Sequence, residues 1–169
     1  MSDLHEQLRY CLDGRACLMG IGNMDWGDDG FGVRLAEKLL RDGTPDVIVA
    51  GAAPERYLGR VVDEGFDHLI FLDAVDFGGI PGSVVFLNSR EIAARFPQTS
   101  THHISLGLLA KWVEANGRTN VWLLGAQAES LQSAGSLTPQ VETTLEALSE
   151  LLGGLRSVAY SRLVDATVC

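Results

Sequence analysis

Gly20-Ile21-Gly22-Asn23-Met24-Asp25-Trp26-Gly27-Asp28-Asp29-Gly30-Phe31-Gly32 joins an apolar run to a helical one, and its reading decides the fold. The preceding residues Ala16-Cys17-Leu18-Met19-Gly20-Ile21 are short, apolar and closed by glycine, which predicts a buried strand. From about Asp29 to Leu40, Phe31, Leu35 and Leu39 fall four apart with Ala36 and Leu40 beside them, one buried stripe of a helix. A strand-to-helix turn is where an α/β protein exposes its chemistry. A turn built to cradle phosphate needs backbone N–H groups and positive charge facing the anion. This turn carries Asp25, Asp28 and Asp29, which would repel a phosphate and suit a cation.

The alternation continues along the chain. Asp42-Gly43-Thr44-Pro45 stops the first helix, Asp46-Val47-Ile48-Val49-Ala50 reads as a second strand, and Pro54 to Val62 as a second helix with proline at its first position. His68-Leu69-Ile70-Phe71-Leu72-Asp73 is a third strand ending on an acid, and after the turn Ile80-Pro81-Gly82 the run Ser83 to Leu87 is a short strand of either direction. Ser100 or Thr101 can cap a helix that shares Leu106, Leu109, Ala110 and Val113 on one face and ends at Asn116-Gly117. Asn120 to Gly125 is a further strand, and Thr138-Pro139 opens a last helix lined by Val141, Leu145, Leu148 and Leu152. This order predicts a single α/β domain over residues 1–169, a three-layer α/β/α sandwich around a twisted, mostly parallel sheet of about five strands. Residues 1–15 are expected as a peripheral amphipathic helix, and 154–169, where periodicity fades, as a peripheral tail.

At 169 residues and 46% hydrophobic content, the chain can bury a core without a disulfide or metal staple. Its 13 basic and 22 acidic residues give a net charge of −9 with no basic cluster, which argues against nucleic acid and against an anionic membrane as partner. Without a signal-like N-terminus or a membrane-length apolar run, a cytoplasmic protein is expected. Cys11, Cys17 and Cys169 lack redox or finger spacing and read as reduced thiols.

In an open parallel sheet ligands bind beyond the carboxyl ends of the strands. Asp29 follows the first strand, Asp73 ends the third, and His102 lies in Ser100-Thr101-His102-His103 at the entry to a helix. Two carboxylates and an imidazole gathered at one edge make an O/O/N site for a borderline divalent ion such as zinc or nickel. Asp28 and Asp29 could equally complement the helix dipole, Asp73 could cap a turn, and Asp76, Glu55 and Glu129 also follow strands. His5 and His68 have no special context. There is no HExxH pair, no GxSxG elbow and no cysteine in a nucleophile context. Gly20-Ile21-Gly22 begins like a dinucleotide fingerprint, but Asp25 stands in place of the third glycine and the second strand ends without a ribose-binding acid.

At these residues the chain resembles the hydrogenase maturation endopeptidases. The matching segments are Gly20-Ile21-Gly22-Asn23 with Asp28-Asp29-Gly30-Phe31-Gly32, Gly51-Ala52-Ala53-Pro54-Glu55, Leu72-Asp73-Ala74-Val75-Asp76 with Pro81-Gly82, Thr101-His102, and Leu137-Thr138-Pro139-Gln140-Val141-Glu142. They run in family order from roughly Cys17 to Leu152. The resemblance implies an aspartic-type endopeptidase that trims the C-terminal extension of a nickel-iron hydrogenase large-subunit precursor once nickel is inserted. It maps the family's metal-facing acids to Asp29 and Asp73 and its histidine to His102, as catalytic and metal-engaging residues, and leaves Asp28 a helix-start role. Nickel would then arrive with the precursor, with no tightly bound organic cofactor and a monomeric enzyme. One departure is Val49, where the family often has an aspartate, with Glu55 as a substitute and His103 competing with His102. The competing expectations are a noncatalytic metal-sensing or chaperone-like binder of the same fold, and a nucleotide-binding domain.

Overall fold

The computed structural model describes residues 3–97, 104–132 and 135–167. Its elements are α1 (Leu4–Asp13), β1 (Ala16–Ile21), α2 (Phe31–Arg41), β2 (Val47–Gly51), α3 (Leu58–Glu64), β3 (His68–Val75), β4 (Val84–Asn88), α4 (Ser89–Arg95), α5 (Leu106–Asn116), β5 (Asn120–Gln127) and α6 (Pro139–Thr167). The strands form one sheet in the order β2-β1-β3-β5-β4. All neighbours pair parallel except β4, which runs antiparallel to β5 and supplies the direction the sequence left open.

The central strands read as unbroken apolar runs because both faces are covered. Side chains alternate between two cores. Cys17, Met19 and Ile21 of β1 with Leu69 and Phe71 of β3 pack under α3, α4 and α5 through Leu58, Val61, Ile92, Leu109 and Val113. Ala16, Leu18, Ile70 and Leu72 pack under α1, α2 and α6 through Leu8, Leu12, Leu35, Leu39, Val141 and Leu148. Cys11 and Cys17 are buried free thiols, each pushed up to about 12 by burial, which makes them packing groups; Cys169 lies outside the described residues.

Several boundaries differ from the sequence reading, each for a physical reason. The helix expected from Asp29 is a 3₁₀ turn, Gly27–Gly30, followed by α2, so Asp29 precedes the α-helix. Pro54 likewise opens a 3₁₀ turn, Pro54–Arg56, ahead of α3. Strand β3 continues two residues past Asp73, because Ala74 and Val75 still pair with Ala126 and Gln127. Helix α5 starts at Leu106 with Ser105 as its cap, accepting from the Leu108 N–H at 3.2 Å, whereas Ser100 and Thr101 lie outside the described residues. Helix α4 is an element the periodicity did not announce. Its signal was the capping box Asn88-x-x-Glu91, closed by Glu91 N to Asn88 Oδ1 at 3.0 Å and Asn88 N to Glu91 Oε2 at 2.9 Å.

The two ends are less peripheral than expected. Leu8, Cys11 and Leu12 of α1 are fully buried, and α6 runs past Gly153-Gly154 instead of fading. The guanidinium of buried Arg156 anchors that extension. It donates to the Ala16 carbonyl at 2.7 Å and to the Pro45 carbonyl and Asp46 Oδ2 at 3.3 Å each, which ties the helix to the starts of β1 and β2.

Helix α2 meets the sheet through Gly32. A Cβ there would fall well under 3.0 Å from the carbonyl oxygens of both Ile21 and Leu72, which are backbone atoms that cannot rotate away. Gly32→Ala is therefore expected to cost about 3 kcal/mol or more by overpacking, whereas Gly154→Ala, with open space around its Cβ, should gain about 0.5–1 kcal/mol of helix stability. Denaturant midpoints of the two variants check both signs.

His68, treated as structural in the sequence, is buried against Trp122 and Tyr10. Its Nδ1 accepts from Trp122 Nε1 at 3.1 Å, and burial lowers its pKa below the ordinary 6.5. Folding thus favours the neutral ring. Below about 6.5 the unfolded chain takes up the proton first, so stability should fall as pH drops through that value. An NMR titration of the imidazole should return a pKa below 6.5, and His68→Phe should flatten that part of the stability profile.

Candidate active site

Strand order turns around at β1 and β3: α2 leaves β1 across one face toward β2, and α3 returns from β2 to β3 across the other. Connections that depart to opposite faces open a crevice at the carboxyl ends of those two strands, the ligand position of doubly wound sheets. Asp29 follows β1, and Asp73 stands in β3 at the same edge. Exposure is 3% for Asp29 and 1% for Asp73.

The first loop is folded onto Asp29. Gly22 leaves β1 at φ 135°, a conformation that disfavours side chains, and its N–H donates to the Gly51 carbonyl at 3.0 Å. Asn23 N then donates to Asp29 Oδ2 at 3.0 Å, Asp25 N to Asn23 Oδ1 at 3.0 Å, and Asp29 N to the Trp26 carbonyl at 3.1 Å. A Cβ on Gly22 would press into the Asp29 carbonyl and come to 3.9 Å from Asp73 Oδ1. The main chain at Asp29 and the carboxylate of Asp73 thus flank one point. Two buried carboxylic acids at one crevice are an oxygen-rich donor set of the kind a divalent cation uses. Among the described residues no third His, Cys, Asp or Glu completes a metal cluster with them. His102 and His103 lie outside the described residues.

Asp28 does something different from the helix-start role expected of it. It is fully buried, and its side chain reaches across to the segment after β5. Oδ2 accepts from Glu129 N at 2.8 Å, Ser130 N at 3.0 Å and Thr138 Oγ1 at 2.9 Å, and Oδ1 from Thr138 N at 2.7 Å. Asp28 N returns a bond to the Ser130 carbonyl at 3.0 Å. This carboxylate clips the loop after β5 and the start of α6 onto the 3₁₀ turn that carries Asp29.

The other acids take separate places. Asp76 is exposed, and hydrogen bonds from Gln127 Nε2 and Gly78 N, both at 3.1 Å, hold its carboxyl below the usual range. Gln127, which no motif reading named, is buried and uses Oε1 to accept from Phe77 N at 2.9 Å and Gly79 N at 3.1 Å, fixing the loop that follows β3. Glu129 and Glu55 are exposed. Val49 packs with the α1, α2 and α6 core, whereas Asp73 shares its face of β3 with Leu69 and Phe71. The valine therefore fills a core position on the opposite face of the sheet from Asp73.

The fold recurs among known proteins. The family model described as hydrogenase maturation protease, HycI, matches residues 33–153. The Hydrogenase 2 maturation protease of Escherichia coli strain K12 is 33% identical over 151 residues, covering 84% of this chain and 91% of that protein. The hydrogenase expression/formation protein HupD of Bradyrhizobium diazoefficiens is 34% identical over 138 residues, 76% of this chain and 71% of the relative. The crystal structure of the hydrogenase maturation protease HycI from Thermococcus kodakarensis KOD1 superposes with a TM-score of 0.78 at 29% identity, covering 89% of this chain and 99% of that one. The fold is that of the α/β maturation peptidases. The chain belongs to the hydrogenase maturation protease family.

Asp28→Asn keeps the shape but turns one acceptor into an NH₂ facing donors. It should lower unfolding free energy by about 3 kcal/mol and loosen residues 128–138. Denaturant unfolding and amide exchange across that segment check it.

Proposed function

We propose that this peptidase removes the C-terminal extension of a nickel-iron hydrogenase large-subunit precursor after nickel insertion, and that the bound nickel is what it recognises. The observation that carries the reading is the placement of Asp29 and Asp73 at the β1/β3 switch point, in a chain of the maturation protease family. The metal is the substrate's cargo. Asp29, Asp73 and His102 supply oxygen and nitrogen donors toward it, a set suited to a borderline ion such as nickel. Engaging the ion positions the adjoining peptide bond, which converts recognition into proximity.

Hydrolysis then adds water across that bond: hydroxide goes to the carbonyl carbon, the C–N bond breaks, and a proton goes to the leaving amine. A carboxylate of the pair takes the water's proton and returns it to the amine. The clamp made by Asp28 and the loop pinned by Gln127 keep the surrounding backbone in place while this happens. The same reading has the enzyme working as a monomer in the cytoplasm on the folded precursor. Among the described residues no helix is long and apolar enough to cross a membrane.

Asp29→Asn, Asp73→Asn and His102→Ala should each slow cleavage of a nickel-loaded precursor at least about a hundredfold, with circular dichroism unchanged. Intact-mass spectrometry of the precursor reads the result, and full cleavage by any one variant removes that residue from the site.

A further inference from the structure

A groove of about 330 Å³ opens between α3 and α5, lined by Glu55, Leu58, Ile104, Leu108, Leu109 and Trp112. Leu58 and Leu109, each 3% exposed, form its floor. Leu108 and Trp112 form its wall and are 58% and 45% exposed. They stand four apart on α5, so they share a stripe distinct from the Leu106, Leu109, Ala110 and Val113 stripe that covers the sheet. Helix α5 is thus apolar over more of its circumference than packing on one sheet face requires, and large apolar side chains exposed together mark a binding surface.

The groove lies toward the same edge, and on the same face of the sheet, as Asp73. Glu55 follows β2 at the carboxyl edge, and the α3–α5 layer covers the face of β3 to which Asp73 belongs. Among the described residues of the lining, Glu55 is the ionisable one. An apolar groove with a single carboxylate at its rim, on a chain of net charge −9, complements an apolar side chain that has a basic neighbour. An extended peptide advances about 3.3 Å per residue, so a chain that leaves the carboxyl edge over this face of the sheet can enter the groove.

We infer that this groove holds the polypeptide substrate beside its scissile bond, seating bulky apolar side chains against Leu108 and Trp112 and a lysine or arginine at Glu55. The assignment rests on the peptidase reading above for the position of the bond. It makes Leu108, Trp112 and Glu55 specificity residues that contact substrate and take no part in bond cleavage.

Leu108→Glu, Trp112→Ala and Glu55→Arg change exposed side chains, so their thermal unfolding should match that of the parent. Two readouts separate docking from turnover: steady-state cleavage of a nickel-loaded large-subunit precursor, and fluorescence anisotropy of the labelled, metal-free precursor. Leu108→Glu and Trp112→Ala should raise KM and Kd about tenfold with kcat unchanged. Glu55→Arg should weaken binding similarly, and changing to glutamate the lysine or arginine that the groove seats should restore it. Parental KM and Kd in both apolar variants overturn the groove while leaving the peptidase reading intact. A parent that binds but does not cleave, with Kd still raised in the variants, sinks the peptidase reading and upholds the groove. A changed oligomeric state with unchanged Kd would assign the groove to a second copy of the chain and overturn the proposal.

Discussion

The approach of α2 to the sheet at Gly32 is the constraint on which the rest depends. With no side chain at that position, the helix lies against the backbone oxygens of Ile21 and Leu72, the last residue of β1 and the one before Asp73. Gly32 is also three residues beyond Asp29. The contact that packs the helix therefore sets how far apart the two acids stand. Any side chain at 32 would wedge the helix outward, carrying the 3₁₀ turn and Asp29 away from β3. Packing and site geometry are here one requirement.

Neighbouring acids divide the labour. Asp28 and Asp29 are adjacent, buried and chemically identical, yet in the 3₁₀ turn their side chains serve different segments. The Asp28 side chain reaches across to the segment after β5 and gathers donors from Glu129, Ser130 and Thr138. Asp29 stays with its own loop through Asn23 N. A carboxylate bonded by several backbone N–H groups of a distant segment is a strong tie, because losing it leaves those donors buried without acceptors. Gln127 applies similar bracing from the other side, fixing the loop after β3. The crevice is held by a polar frame that ties the loops at the strand ends to one another.

Much of this was legible in the residues. The apolar runs at 16–21, 68–73 and 120–125 marked central strands, since burial on both faces removes the need for alternation. The placement of Asp29 and Asp73 at one edge followed from strand order in an open sheet. What was not legible has common causes. Helix α4 is too short to show a period and announced itself only through its capping box. The far half of α6 lacks a full apolar stripe, since a buried arginine bonding main-chain carbonyls at the start of the sheet takes its place. The exposed stripe of α5 has no local mark in the sequence, because an apolar residue beside a core stripe is told apart from it only by what packs against each.

The sequence by itself determined the α/β alternation, the mostly parallel sheet, the strand-to-helix turn and the identity of the acids near the strand ends. Those features follow from local periodicity and from chain order, which a linear string carries. Only the tertiary structure decided that β4 runs antiparallel, that Asp28 is a clamp while Asp29 belongs to the crevice, that Val49 lies on the opposite face of the sheet from Asp73, and that an apolar groove opens between α3 and α5. Each of these turns on which distant segment lies opposite a side chain. Hydrogen-bond partners a hundred residues apart, such as Asp28 with Glu129 and Thr138, leave no trace in local patterning.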